Sequence, residues 1–312
     1  MKQLLALVGV LLATSVTLPA QAPAPPAPAK QVFDVPIDHV GLIVRDIKTS
    51  AKAFAEVLGL PVPAIQTQSA LKVKTAVFAL NGVTLELNEP TAAGPYREYL
   101  EKHGEGLHHI GLSGLTDVAA RAAIAVANGG KQLIGGAGAT VALVDLTSTM
   151  GFTLELNEAA GSRRKSTDTT VAKFADNLVL YISMIVADAE KSAAAFAAMT
   201  GVTAPAVRDA KIQYPEDFKG NRAAHPKLGM IAGLPGISVA YTSPVDGPSP
   251  WSENLAKHGP QMHHLGISIK GHPEQIAFFQ SHGATVLVGG GNLGYSWVGV
   301  PKLSSIFELN GK

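Results

Sequence analysis

The chain has 312 residues, of which 46% are hydrophobic, and a formal net charge of +1 at neutral pH. This length is long for one domain and suits two. Nearly balanced charge argues against a nucleic-acid partner. Because the sequence contains no cysteine, disulfides, thiolate nucleophiles and cysteine-ligated metal sites are excluded.

Residues 1–22 have the pattern of an export signal peptide. Lys2 supplies a positive charge, residues 4–12 form an apolar run, and residues 20–22 provide small side chains for cleavage. The apolar run is too short to span a membrane. Residues 23–32 are rich in proline and alanine and predict an extended tether. We therefore expect an exported protein, periplasmic or secreted, without a membrane span in its mature form.

Two short phrases recur along the chain with a shared period. The histidine of His-Val-Gly-Leu at His39 returns at His109, 70 residues later, and the glutamate of Thr-Leu-Glu-Leu-Asn-Glu at Glu86 returns at Glu155, 69 residues later. Weaker copies at His264 and Glu308 follow at about twice that spacing. The repeat predicts four modules of roughly 70 residues, grouped two and two.

Each module predicts the order β-α-β-β-β. In the first module, residues 38–44 alternate like a strand, and Asp46 is placed to cap a helix that ends at Leu58. Strands are expected over residues 76–80 and 83–88, with a hairpin turn between them. A polar stretch follows the second module. We therefore predict a first domain over 33–158, a linker over 159–176 and a second domain over 177–312.

Strand alternation decides which of the repeated residues share a face. The residues on both sides of Glu86 are apolar, so Glu86 points away from them, and Glu155 has the same surroundings. If two modules close one sheet together, one concavity is lined by four polar residues, namely His39, Glu86, His109 and Glu155. The alternative is that they are ordinary polar residues on the solvated face of an antiparallel sheet.

Two imidazoles and two carboxylates suit one divalent ion of intermediate softness, such as Ni, Zn, Co, Mn or Fe. Four protein ligands leave two positions of an octahedral sphere for a substrate with adjacent oxygens. The ion then acts as a Lewis acid on a carbonyl or enolate.

The paired βαβββ modules, with histidine early in the first strand and glutamate in the last, resemble the vicinal oxygen chelate superfamily. This group includes glyoxalase I, methylmalonyl-CoA epimerase, fosfomycin resistance proteins and extradiol dioxygenases. The resemblance covers residues 35–158 well and 178–310 more loosely. It implies an α+β fold of four βαβββ modules paired into two domains. It also implies a metal site whose ligands are His39, Glu86, His109 and Glu155, in an order that resembles bacterial metal-dependent glyoxalase I.

Two details of the carried-over pattern matter for the site. His108 directly precedes a ligand in its strand, so we expect its side chain on the opposite face and do not count it as a ligand. In the second domain, Tyr181 stands where the first has His39, and Ala240 stands where it has Glu86. His264 and Glu308 remain. We therefore predict that the second domain is a degenerate copy without a metal.

The resemblance implies a metal-dependent lyase or isomerase that acts through a chelated enediolate or enolate on a small substrate with adjacent oxygens. Glu155 is the first candidate for the catalytic base and Glu86 the second. An exported protein is poorly placed to use glutathione adducts. Two alternatives remain open, an extradiol-type ring-cleaving dioxygenase and a non-catalytic ligand-binding or resistance-type protein. A purely structural role is a third. We expect a monomer or homodimer.

Overall fold

A computed structural model describes residues 31–159, 174–210, 226–232, 234–245, 247–289 and 294–311. The predicted export signal, most of the tether and most of the linker therefore lie outside the described residues. Among the residues described, no helix combines the length and the apolar character needed to cross a membrane.

The strands described in the first half of the chain form one sheet of eight. They are β1 (His39–Ile43), β2 (Gln66–Gln68), β3 (Val73–Ala79), β4 (Thr84–Pro90), β5 (Gly106–Leu112), β6 (Lys131–Ile134), β7 (Val141–Asp145) and β8 (Thr153–Asn157). Their order across the sheet is β2-β3-β4-β1-β5-β8-β7-β6. β1 and β5 meet antiparallel at the centre, and each pairs on its other side with the parallel last strand of its own module. We call the part of the chain built on this sheet the first domain.

The described residues of the second half repeat this sheet. Its strands are β9 (Leu178–Ile185), β10 (Arg208–Asp209), β11 (Pro226–Ile231), β12 (Ser238–Pro244), β13 (Gln261–Ile269), β14 (Thr285–Gly289), β15 (Tyr295–Val300) and β16 (Ser305–Gly311). Their order is β10-β11-β12-β9-β13-β16-β15-β14, so β9 and β13 take the central places of β1 and β5. This part is the second domain. The two sheets confirm the predicted α+β architecture of four βαβββ modules paired two and two.

The helices of the described chain include the four that the repeat predicts, one in each module. The α-helices in the described residues are α1 (Ile47–Leu58), α2 (Pro95–His103), α3 (Val118–Ala127), α4 (Thr147–Met150), α5 (Ala189–Thr200), α6 (Pro250–His258) and α7 (His272–Ser281). The four predicted ones are α1, α3, α5 and α7. The predicted bounds of α1 are confirmed. The Asp46 carboxylate accepts hydrogen bonds from two backbone amides of the first turn, and Gly59 ends the helix with a φ of 69°. Only glycine adopts that conformation at low cost, which fixes the stop.

Helices α2 and α6 were not predicted, and each packs on residues from both modules of its domain. They begin at Pro95 and Pro250, which are 155 residues apart and thus belong to the repeat. Proline is favoured in the first turn because its missing N–H has no partner there in any case. On α2, Tyr96 and Leu100 are buried four residues apart, so one narrow face of an otherwise polar helix packs on the sheet.

The two domains are joined by apolar packing and by polar contacts. One buried hydrophobic cluster includes residues of both sheets, and the ring centroids of Phe152 and Phe196 lie 6.1 Å apart across the boundary. The Ser304 hydroxyl of the second domain donates a hydrogen bond to Glu105 of the first at 3.2 Å. The described part of the chain from residue 31 onward therefore forms one compact unit.

Candidate metal centre

The centre is built where β1 and β5 cross. In their antiparallel register, His39 lies opposite Gly111 and His109 lies opposite Gly41. Each imidazole covers the glycine on the other strand, in the space where a Cβ atom would stand. Both histidines therefore turn towards the middle of the sheet, and each depends on a glycine of the neighbouring module.

The structure brings the four predicted ligand residues together. The ligand atoms of His39, Glu86 and His109 all lie within 4.8 Å of one another. Glu155 approaches both histidines, with Oε1 at 3.7 Å from Nε2 of His39 and Oε2 at 3.5 Å from Nε2 of His109. The parallel registers explain this arrangement, because Glu86 pairs with Gly41 in the backbone ladder and Glu155 pairs with Gly111.

The two histidines fit a cation between them. Their Nε2 atoms are buried and have no hydrogen-bond partner among the described residues. A buried polar atom without a partner is costly and calls for an explanation. Two imidazole nitrogens facing two carboxylates are a donor set for a divalent ion of intermediate softness, which would satisfy both nitrogens at once.

The two histidines of the centre differ in their protonation. Burial lowers the pKa of His39, but Glu86, Asp38 and Glu155 outweigh burial and raise it to about 9. The pKa of His109 lies well below its ordinary value because of burial, which Glu155 only partly opposes. Near neutral pH and without a cation, His39 is therefore charged and compensates the carboxylates, whereas His109 is neutral and already in the form that ligates a metal.

Each histidine has a polar partner at its Nδ1 atom. Nδ1 of His39 lies 3.2 Å from the carboxylate of Asp38, which also accepts a hydrogen bond from the Ser113 hydroxyl at 2.9 Å. Nδ1 of His109 lies 3.0 Å from Nδ1 of His108. Partners at Nδ1 orient a ligating imidazole and leave Nε2 for the metal, as in many metal sites.

The position of His108 corrects the expectation that it would point to the opposite face. The register between β1 and β5 passes from the pair Gly41–His109 to the pair Leu42–Leu107 and skips His108. This irregularity is a β-bulge, and a bulge redirects a side chain out of simple alternation. His108 therefore lies beside His109 as its buried support, a role that the two-residue period of a strand could not indicate.

Tyr96 is a second residue of the centre that the sequence did not reveal. Its hydroxyl donates a hydrogen bond to Oε2 of Glu155 at 2.6 Å. Burial, together with Glu155, raises the pKa of Tyr96 well above its usual value, so the phenol stays protonated and remains a donor. Helix α2 carries Tyr96 to this point. Because α2 was not predicted, no sequence signal connected Tyr96 with Glu155.

The second domain keeps the frame of the centre and loses its donors. Tyr181 of β9 lies opposite Gly266, and its ring covers that glycine as the ring of His39 covers its own. Ala240 takes the register position that Glu86 has in the first domain. Among the described residues of this domain, no three histidines and carboxylates come together as they do in the first.

The two ligand-type residues that remain in the second domain, His264 and Glu308, bind each other. Glu308 lies 2.9 Å from Nε2 of His264 and accepts a hydrogen bond from the Trp297 indole at 2.8 Å. Burial alone would raise the pKa of Glu308, but hydrogen bonds from His264, Tyr181 and Trp297 outweigh it and lower the pKa. Nε2 of His264 thus has a protein partner, unlike Nε2 of His109, which has none within the described residues, and the absence of a metal from the second domain stays a prediction.

Known proteins share this architecture. The profile of the glyoxalase/bleomycin resistance protein/dioxygenase superfamily matches residues 38–143. YqjC of Bacillus subtilis (strain 168), an uncharacterized protein, is 35% identical over 134 residues, which make up 41% of this chain and 94% of that protein. A mutant of 4-hydroxymandelate synthase from Streptomyces coelicolor is structurally similar with a TM-score of 0.60 and 18% identity, over 88% of this chain and 92% of that one.

A Mn(II)-bound glyoxalase from Novosphingobium aromaticivorans is similar with a TM-score of 0.51 and 16% identity, over 88% of this chain and 81% of that one. At such identities the two structures show a shared fold, and both likenesses extend over both domains. The match to YqjC is closer and spans nearly all of that protein. The profile match includes His39, Glu86 and His109 and ends before Glu155. The chain belongs to the glyoxalase/bleomycin resistance protein/dioxygenase superfamily.

Proposed function

We propose that the first domain contains the active site of a metal-dependent lyase or isomerase. This enzyme removes a proton next to a carbonyl of a small substrate with adjacent oxygens. One observation carries the proposal. The Nε2 atoms of His39 and His109 are buried, have no hydrogen-bond partner in the described part of the chain, and lie close to the carboxylates of Glu86 and Glu155. Membership of a superfamily that includes glyoxalases supports it.

The residues that would hold the ion are His39, Glu86, His109 and Glu155. When bound, a divalent ion such as Ni, Zn, Co, Mn or Fe supplies Lewis-acid chemistry, which draws electron density from a carbonyl oxygen and acidifies the neighbouring C–H. Asp38 and His108 keep the two imidazoles oriented towards this position.

A carboxylate of the centre takes the proton from the substrate. Glu155 is our first candidate, and the hydrogen bond from Tyr96 orients its carboxylate. Glu86 is the second candidate. Burial raises the pKa of Glu86, although His39 opposes this effect, and a raised pKa makes a carboxylate a stronger base near neutral pH.

Metal analysis and isotope exchange together test the proposal. The purified protein, reconstituted with each metal, should hold about one ion per chain, as elemental analysis would measure. The loaded protein should catalyse proton–deuterium exchange on at least one of a panel of small α-hydroxy and α-keto carbonyl compounds. Protein that takes up none of the five metals would contradict the site. Protein that binds metal but exchanges no proton would contradict the reaction.

The geometry also favours one second candidate, a ring-cleaving dioxygenase. The three residues whose ligand atoms converge within 4.8 Å are two histidines and one glutamate, the ligand set of many non-haem Fe(II) oxygenases. In that case Glu155, held by Tyr96, would stay outside the ligand set. Oxygen consumption with catechols by the Fe(II)-loaded protein would favour this function over proton transfer.

A further inference from the structure

A cavity of about 390 Å³ lies between the two domains. This volume falls in the range of small-molecule sites, roughly 300–1,000 Å³. It is lined by the end of α2 and the start of β5, by the corresponding end of α6 and start of β13, and by residues of β14, β15 and β16. The four residues of the candidate metal centre are not among its lining residues, so the cavity is a separate site.

The repeat places the same residue in this cavity twice. Helix α2 ends in Lys102-His103 and α6 ends in Lys257-His258, each followed by a glycine, at a spacing of 155 residues. Both histidines line the cavity, and they interact electrostatically with each other. The two domains therefore each contribute one imidazole, flanked by one lysine, to a single concave site.

His103 lies in positive surroundings. Burial lowers its pKa, and Lys102 and His258 lower it further, while Asp145 has a smaller opposite effect. The ring of Tyr99 stacks on it with centroids 4.8 Å apart. Without a ligand His103 is therefore mostly neutral at pH 7, because burial and, to a smaller extent, the neighbouring Lys102 and His258 disfavour its protonated form.

The same holds for the other histidines of the cavity. Burial lowers the pKa of His258, and Lys257 adds to the effect. The pKa of His263 lies well below its usual value because of burial, with further contributions from His264 and His258. An anion between these groups would relieve the repulsion and allow His103 and His258 to take up protons.

One carboxylate lines the cavity among its described residues, and it is already engaged. Glu105 accepts a hydrogen bond from the Arg45 backbone amide at 2.6 Å and another from the Ser304 hydroxyl at 3.2 Å. Its charge is thus directed at these donors, and it fastens the two domains rather than compensating the histidines. Among the described lining residues, no second carboxylate is present to compensate a proton on His103 or His258.

The rest of the lining divides into a polar and an apolar part. Next to the histidines, the amide of Gln261 donates a hydrogen bond to the side-chain oxygen of Asn254, which leaves the Asn254 amide hydrogens available as donors. The apolar part consists of Leu107, Met262, Leu287, Val300, Pro301 and Ile306. A ligand that suits this cavity therefore has a charged end and a hydrophobic body.

We propose that the cavity binds a small organic acid, whose carboxylate is held by His103 and His258 and whose apolar body packs on Leu107 and Met262. The site is distinct from the metal centre and does not depend on its chemistry. Because both domains supply ligand contacts, the bound acid stabilises their association.

Calorimetric titration of the full chain with hexanoate and benzoate tests the proposal. Both acids should bind at about pH 5.5, and binding should weaken as pH rises, by up to roughly tenfold per pH unit for each proton taken up. His103→Gln and His258→Gln keep hydrogen-bonding capacity but cannot carry the charge. Each should weaken binding at least about tenfold and flatten the pH dependence. His282→Gln is the matched control, because His282 is a half-buried histidine near Glu56 of the other domain but outside the cavity.

Three results would overturn the proposal. The first is that neither acid binds at about pH 5.5, and the second is that both glutamine variants bind as the unchanged protein does. The third is that hexanol, which lacks the charge, binds as tightly as hexanoate. A metal-free His39→Ala protein should bind both acids normally, and loss of binding there would place the acid at the metal centre instead, which also contradicts the proposal. Circular dichroism of each variant establishes that it is folded.

Discussion

The imidazole of His39 covers Gly111 on the neighbouring strand, in the space that any larger residue would need. The relation is mutual, because His109 covers Gly41 in the same way. A histidine followed two residues later by glycine is therefore one half of a reciprocal contact between modules. Each module supplies a ligand and also the gap in which the ligand of the other module lies.

Gly111→Ala should damage the metal centre without removing a ligand. Its Cβ atom would collide with the His39 ring and force it away from the other donors. We expect metal affinity to fall by about 10- to 100-fold, the usual effect of disturbing the support of a ligand. Calorimetry with Zn or Ni would measure it. Gly266→Ala in the second domain, where the new methyl group would meet Tyr181, is the control and should leave affinity unchanged.

The stability of the metal-free protein should depend on the charge of His39. Its folded-state pKa of about 9 exceeds the ordinary value of 6.5, so its stabilising contribution is full below about pH 6.5 and is lost as pH rises to about 9. A displacement of this size corresponds to about 3 kcal/mol. Urea unfolding with chelator present, at about pH 6 and about pH 9.5, should reveal the decrease. The decrease in the free energy of unfolding between these two pH values should be much smaller in His39→Gln. An equal decrease in both proteins would contradict the raised pKa of His39.

Two glutamine variants should separate the roles of the carboxylates. Glu155→Gln preserves size but removes basicity, so deuterium exchange should fall by roughly 10²- to 10⁴-fold while some metal remains bound, if Glu155 is the base. Glu86→Gln should then be milder. The reverse result would make Glu86 the base. Tyr96→Phe, which removes the hydrogen bond to Glu155, should alter exchange only in the first case.

Two alanine variants at equivalent positions of the repeat should differ in metal content. His109→Ala removes a ligand candidate and should leave the protein with little or no metal after dialysis. His264→Ala breaks the contact with Glu308 in the second domain, so it should lower thermal stability but not the amount of metal. Elemental analysis of both proteins decides the matter. Loss of metal in His264→Ala would show that the second domain contributes to the site.

The sequence predicted those parts of the molecule that depend on local chemistry and on period. The bounds of α1 followed from an aspartate cap and a glycine stop, and the convergence of His39, Glu86, His109 and Glu155 followed from strand alternation combined with the repeat. Both rest on interactions between residues that are near in sequence or related by a fixed spacing. Such interactions leave a regular pattern that can be read without coordinates.

The sequence did not predict features that arise from tertiary packing. The bulge at His108 breaks the alternation on which the prediction relied, because strand pairing in the folded sheet sets its position. Helix α2 is short and polar, with Tyr96 and Leu100 as its buried residues, so its periodicity was too weak to notice. As a result the contact between Tyr96 and Glu155 was missed, because it joins residues from two elements whose approach only the fold determines.

The two modules are held together by different interactions in the two domains. In the first, residues of both modules point at a common centre, and repulsion between Glu86 and Glu155 is relieved by a proton on His39 or by a cation. In the second, Tyr181 of one module and His264 of the other both bond to Glu308, so the clasp is made of protein alone. The contacts that close the second domain are therefore made by protein alone, whereas those of the first need the proton on His39 or the proposed ion. Removing the ion at a pH above about 9, where His39 loses its proton, should therefore loosen the first domain before the second.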